Sequence, residues 1–241
     1  MQQNFDLFKI LFIDIETVPM CQVYDELPDN LKPLWDHKSQ RILKPNEEKT
    51  SQELFFEKAG IFAEFGKVVC VSAGFFRMEN DKLSFRVKAF YGHDEKALLN
   101  DFSNMLNQHF NTSAHCLCAH NGKEFDFPYL SRRMLINNVK IPFLLNNQGK
   151  KPWEVSLIDT MELWKFGDIK NYTSLALLAA VFDIPSPKDD IDGSQVADVY
   201  YNKNELERIA TYCNKDVITT ARLYLKLIQS EDVEDSCIIS L

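Results

Sequence analysis

No uninterrupted apolar stretch in the 241-residue chain approaches the ~20 residues that a membrane span needs. Near the start, Asp6 and Lys9 precede a short apolar run that Asp14 and Glu16 interrupt, which is not the pattern of a signal peptide. The chain is therefore expected to be cytoplasmic and to make no use of a membrane. CxxC pairs are lacking too. The six cysteines (Cys21, Cys70, Cys116, Cys118, Cys213, Cys237) sit mostly in apolar segments with no export signal, so reduced thiols are expected rather than a disulfide framework. Cys237 is the fifth residue from the end, one too many for a prenylation box, which leaves a frayed or docked tail. An excess of positive charge is also missing. A net charge of −8 argues against a broad basic surface that holds nucleic acid by phosphate neutralisation. It leaves open an enzyme whose bound metal ions supply positive charge locally. No internal repeat or low-complexity tract appears.

What is present suits a globular fold. With 45% hydrophobic and 12% aromatic residues, the chain can bury a sizeable core, as one domain over 1–241 with an inserted excursion at about 19–60. Residues 8–15 form a short apolar run ending in acidic residues, as a buried central strand would. Pro19, Pro28, Pro33 and Pro45 break the next forty residues into short pieces before a helix at 51–59. Residues 67–76 and 83–91 read as an antiparallel hairpin with a polar loop at 78–82. A helix from Asp94, a strand at 116–119 and a helix opening near Glu124 follow. The last third is helical (172–182, 193–201 and 204–228) apart from a short strand at 155–158, and Asn204 is the expected N-cap of the final helix. The stripe Tyr172, Leu175, Leu178, Ala179 and Phe182 is expected to be core, and Trp35, Trp153 and Trp164 are expected to pack.

Three segments carry the chemistry. Asp14 and Glu16, two apart at a strand end, project from one face towards one point. Carboxylates brought together there would repel each other and lose hydration, so a divalent cation is their natural partner, although a solvated strand terminus would leave the same trace. Asp126 falls in the first turn of a helix, where a carboxylate also serves as a cap. Beside it, Asn121, Lys123 and Phe125 offer an amide, a cation and an aromatic face for a sugar-phosphate backbone and a base, and Arg132 and Arg133 follow a turn later. Tyr212 and Asp216 are four apart on the last helix, so a phenol and a carboxylate address one site.

Together these segments resemble the DEDD exonuclease superfamily, the ribonuclease-H-like group that includes the proofreading domains of DNA polymerases. The four matching carboxylates are Asp14, Glu16, Asp126 and Asp216, and Tyr212, with Thr211 where other members carry histidine, marks the tyrosine type. The segments 14–17, 121–126, 156–160 and 212–216 resemble the exonuclease domain of family-B polymerases, and 187–200 resembles its bacterial stand-alone relatives. The resemblance implies an α/β fold, a ribonuclease-H-like mixed sheet in which an antiparallel hairpin joins parallel strands, flanked by helices. It further implies a 3′-5′ exonuclease in which the four carboxylates hold two Mg²⁺ ions, replaceable by Mn²⁺, roughly 4 Å apart. Tyr212 would orient the attacking water, and 5′-mononucleotides would be released. Thr17 would meet the terminal nucleotide, with Asn121 and Phe125 on the strand behind it. The implied substrate is single-stranded DNA or the 3′ end of DNA, and any polymerase or repair complex would act in trans.

Two other readings stand beside this one: a 3′-5′ exoribonuclease on the same fold, and an inactive nucleic-acid-binding platform. A zinc site at Cys116, Cys118 and His120 fits no finger or ribbon spacing, and a buried strand with small thiols is expected there instead. Asp159 is expected to be structural. Asp189, Asp190 and Asp192 form an acidic loop in which Asp190 and Asp192 are left unassigned.

Overall fold

The computed structural model describes residues 6–44, 46–168, 172–185 and 191–241. Strands β1 (Ile10–Pro19), β2 (Gly66–Glu79), β3 (Lys82–Tyr91), β4 (Cys116–Ala119), β5 (Leu157–Asp159) and β6 (Ile238–Ser240) form one mixed sheet in the order β5-β4-β1-β2-β3-β6. The β1–β2–β3 ribbon is antiparallel, whereas β4 pairs with β1, β5 with β4, and β6 with β3 in parallel. Helices α1 (Lys32–Ile42) and α2 (Ser51–Lys58) lie in the excursion between β1 and β2. Then come α3 (Glu95–His109), α4 (Asp126–Ile136), α5 (Thr160–Lys165), α6 (Leu175–Val181), α7 (Val196–Asp198) and the long α8 (Leu206–Leu227). The expected mixed sheet flanked by helices is what the chain forms.

β1 is buried on both faces, so its sequence runs apolar without alternation. Leu11, Ile13 and Ile15 join a core with residues of α3 and α4, while Ile10 and Phe12 pack with Val217, Ala221 and Tyr224 of α8. Phe8, expected in this strand, instead sits in a 3-10 turn capped by Asp6, and the strand continues past the acidic pair to Pro19. The β2–β3 connection is tighter than the expected polar loop. Asn80 and Asp81 alone form it, both at positive φ (49° and 61°), as a turn matching the twist of a two-residue hairpin requires.

Three other expectations need correction. Pro33 does not break the chain but sits in the first turn of α1, where a missing N–H costs nothing. Asn204 is not the N-cap of α8. It takes the left-handed conformation (φ 54°) that ends a π-helical turn at Val199–Lys203, and Glu205 precedes α8 without a side-chain cap. Trp153 is 69% exposed, with the Lys151 ammonium 5.2 Å from its ring, whereas Trp35 is fully buried and donates to the Ser51 carbonyl.

The excursion carries its own cluster of Leu27, Trp35, Leu54, Phe55, Ala59 and Phe65. Arg133 is not available to a phosphate, because it is buried and paired with Glu95. Its Nε donates to Glu95 Oε1 at 2.8 Å and its Nη1 to the Ala63 carbonyl at 2.8 Å, while Glu95 also accepts from the Val68 N–H and the Asn137 amide. The tail docks, with β6 extending the sheet beside β3. All six cysteines are free thiols, and no described helix is long and apolar enough to cross a membrane.

Candidate active site

β1 ends between β2 and β4 at the edge where α4 begins and α8 passes overhead. A register shift against β2 falls between Glu16 and Thr17, a local irregularity that re-aims side chains. Asp14 and Glu16, before that shift, share the strand face of Ile10 and Phe12 and so leave the strand on the α8 side. The β4–α4 turn delivers the third carboxylate. Asn121 holds a positive φ of 61°, which its short polar side chain tolerates, and a Cβ added at Gly122 would come within 2.4 Å of Ala119 Cβ. Asp159 fixes this turn from β5. Its carboxylate accepts from the N–H groups of Asn121 (2.9 Å) and Lys123 (3.1 Å), and it caps α5 through Met161 N–H (2.9 Å).

These elements enclose a cleft of about 440 Å³ lined by the eight residues to which the resemblance gives a role: Asp14, Glu16, Thr17, Asn121, Phe125, Asp126, Tyr212 and Asp216. Sequence reasoning missed several others. Phe56, Glu57 and Gly60 bring the excursion into one wall, so part of the 19–60 segment covers the site. Tyr172, expected in the core, lines the cleft and is 70% exposed. Gly193 and Ser194 line it as well, whereas Asp192 bonds Ser194 locally, and Asp189 and Asp190 lie outside the described residues. Cys213 was also missed. Its thiol donates to Asp14 Oδ2 (3.2 Å), and ligand atoms of Asp14, Glu16 and Cys213 all lie within 4.8 Å of one another. The available signal was its place beside Tyr212 on the buried face of α8. Thr17 bonds the Tyr129 hydroxyl, which donates to the Gly60 carbonyl. Lys123, expected to offer a cation, pairs with Glu162 at 2.6 Å and does not line the cleft.

Burial and mutual repulsion set the electrostatics. Burial first, then Glu16, Asp126 and Asp216, hold the Asp14 carboxyl well above the usual carboxylate range, against the lowering bond from Cys213. Burial followed by Asp216 does the same to Glu16. Asp126 is pushed up to about 7, chiefly by burial, although main-chain donors at Asp126 itself and at Ile15 oppose the rise. The Tyr212 phenol is raised by burial and by Asp216, Glu16 and Asp14, so it stays protonated at neutral pH, bonded to Asp216. No lysine or arginine lines the cleft among the described residues. Buried carboxylates with raised proton affinity, oxygen donors from three elements and a cleft of such lining fit a divalent cation.

The zinc alternative does not survive the geometry. His120 bonds Thr160 Oγ1 (2.9 Å) and the Thr173 carbonyl (2.8 Å) through its two ring nitrogens. Cys116 and Cys118 lie buried in the α8-side core, and burial pushes the Cys116 thiol up to about 12.

Stripped of divalent cations, the protein is expected to lose stability as pH rises. Asp126 binds a proton in the folded state up to about pH 7 that the unfolded chain releases near its ordinary 3.8, and Asp14 and Glu16 shift in the same direction. Below this window folded and unfolded chains are equally protonated; through it the folded state alone is stabilised less and less as pH rises. With a chelator present, melting temperature is expected to fall from pH 5.5 to pH 8, and millimolar Mg²⁺ is expected to restore it at pH 8. Scanning calorimetry checks this, and a melting temperature indifferent to both pH and Mg²⁺ would sink it.

The family model described as a predicted 3′-5′ exonuclease related to the exonuclease domain of PolB matches residues 61–236. That span includes Asp126, Tyr212 and Asp216 and begins after Asp14 and Glu16, which the fold brings to the same cleft. No curated protein sequence matches. Among solved structures, the family B DNA polymerase of the hyperthermophilic archaeon Pyrobaculum calidifontis is similar over 91% of this chain, with 18% identity and a TM-score of 0.52. The chain spans 24% of that polymerase's length. The likeness supports the ribonuclease-H-like α/β fold, and by the family match the chain belongs to the predicted 3′-5′ exonucleases related to the exonuclease domain of PolB.

Proposed function

We propose that this cleft hydrolyses the terminal phosphodiester of single-stranded DNA from the 3′ end, releasing 5′-mononucleotides, in the tyrosine-type DEDD manner. The observation that carries this reading is the convergence of Asp14, Glu16, Asp126 and Asp216, from β1, α4 and α8, beside a protonated Tyr212. These four carboxylates would hold two divalent cations, Mg²⁺ with Mn²⁺ as a substitute; when bound, such ions activate water and stabilise the leaving 3′ oxygen. Tyr212 cannot act as a base with its phenol raised, so its hydroxyl donates a hydrogen bond that orients the attacking water. Asp159 holds the Asn121–Asp126 turn in place for the incoming strand. Phe56, Phe125 and Tyr172 supply ring faces on which unpaired bases stack, and the walls from α2 and from the Tyr172 segment favour a single strand over a duplex.

The test is a 5′-labelled single strand, as DNA and as matched RNA, incubated with Mg²⁺, Mn²⁺ or chelator. A metal-dependent ladder of shortened products is expected, faster on DNA. A faster ladder on RNA would make the protein an exoribonuclease, and no ladder on either strand would leave a binding platform. Tyr212→Phe is expected to slow the ladder on the order of 10- to 1000-fold while leaving cation affinity, measured by calorimetry, within a few-fold of the parent. Equal loss of cation binding would assign Tyr212 to the ligand set instead. We further propose that a polymerase or repair complex supplies the 3′ ends in trans.

A further inference from the structure

His120, a half-buried imidazole just past the end of β4, lines the cleft, yet the carboxylate chemistry gives it no part. Its two ring nitrogens reach two different elements. Nδ1 lies 2.9 Å from Thr160 Oγ1 at the start of α5, and Nε2 lies 2.8 Å from the main-chain carbonyl of Thr173, just ahead of α6. A carbonyl can only accept, so Nε2 carries the proton, and a neutral ring then leaves Nδ1 as an acceptor for the Thr160 hydroxyl. The Ala119 carbonyl, at 3.5 Å, is the more distant acceptor for that hydroxyl, and Thr160 is fully buried. Burial lowers the proton affinity of the ring, which favours the neutral form. With both nitrogens engaged, His120 is not free to serve as a cation ligand. The bond to Thr173 falls one residue from Tyr172, whose ring lines the cleft and is 70% exposed. On the other side, Ser174 caps α6 by accepting from the Leu177 N–H, and Leu178 and Ala179 of α6 pack with Leu223 of α8. The main chain at 173–174 is thus fastened to β4 through His120 and to α8 through α6, while the Tyr172 ring stays out of the core.

We propose that His120 is the positioning residue for Tyr172: its Nε2–H holds the Thr173 carbonyl so that the Tyr172 ring stands at the cleft as a stacking face, and His120 thereby sets the affinity for a single strand. This rests on the reading of the cleft as a single-strand nuclease site. A ring presented from a fixed main chain loses less freedom when a base stacks on it than one carried on a free loop, so the clasp contributes to binding without touching the strand. Because the clasp consists of hydrogen bonds at the edge of the cleft, its loss should act on strand affinity and leave the cation chemistry in place.

Fluorescence anisotropy of a labelled oligothymidylate of about ten residues, with Ca²⁺ in place of Mg²⁺, reads strand binding apart from turnover. His120→Ala is expected to weaken binding about fivefold or more, as Tyr172→Ala does. The double variant should bind within about twofold of Tyr172→Ala alone, because a residue that acts through Tyr172 has nothing left to position. His120→Gln, whose amide N–H stands where Nε2–H stood, should recover most of the affinity. With Mg²⁺, His120→Ala should raise KM for the strand while kcat and the cation affinity measured by calorimetry stay within about twofold of the parent. His120→Leu, which fills the space without a donor, takes the place of His120→Ala if that variant does not fold. Weaker binding in Tyr172→Ala but not in His120→Ala overturns the proposal and leaves the single-strand reading standing. Additive losses in the double variant, or a kcat that falls as far as kcat/KM, overturn it as well by giving His120 a role apart from Tyr172. A parent protein that binds no single strand removes the reading and the proposal together.

Discussion

Asp14→Ala is expected to lower the rate of 3′-end release on the order of 1000-fold or more, with circular dichroism unchanged. Asp14 lies at the centre of the cluster: Glu16, Asp126 and Asp216 all act on its carboxyl, and Cys213 bonds one of its oxygens. Removing it takes away one of the proposed cation ligands and opens the middle of the site at once. The same substitution carries a second expectation of opposite sign. A buried carboxylate whose proton affinity is raised by burial and by like charges destabilises the fold when ionised, so the chelated variant should melt above the chelated parent at pH 8. Lost activity together with a higher melting temperature separates a catalytic defect from misfolding. Full activity in the variant would remove Asp14 from the site, and a melting temperature well below that of the parent would assign it a structural role.

Arg133→Ala is expected to destabilise the protein by about 3–5 kcal/mol, a fall on the order of 10 °C in melting temperature. Arg133 and Glu95 are both buried, and the pair ties α4 to α3 while reaching the main chain of Ala63 and Val68. Truncation leaves the Glu95 carboxylate without its cation in an apolar interior, which costs more than the pair itself contributes. The double variant Glu95→Gln/Arg133→Met, which removes both charges and keeps volume, should recover part of the loss. A loss below about 1 kcal/mol in Arg133→Ala would mean that water or a rearranged side chain compensates the carboxylate.

The two arginines after Asp126 show where sequence reading stops. At that level, Arg132 and Arg133 both follow Asp126 by less than two turns and both suggest a phosphate grip. Only the arrival of α3 beside α4 turns Arg133 inward to Glu95. Pro33 gave a similar false signal. Proline disrupts a helix interior but not its first turn, and nothing in the local sequence said that a helix would start at Lys32. Asn204 is favourable both as an N-cap and in the left-handed region, and the preceding π turn decided between them.

What the sequence by itself determined were the features with short-range causes: the apolar run of β1, the hairpin, the amphipathic face of α8, and the spacings that put Asp14 with Glu16 and Tyr212 with Asp216. Strand alternation and helical periodicity act over a few residues, so they can be read from the chain without knowing the fold. Tertiary structure alone decided that β1, α4 and α8 meet at one cleft, that Cys213 reaches Asp14, and that Phe56 and Tyr172 form the walls. Those contacts join residues far apart in the chain, and the packing of helices against the two faces of the sheet brings them together; no local preference encodes it.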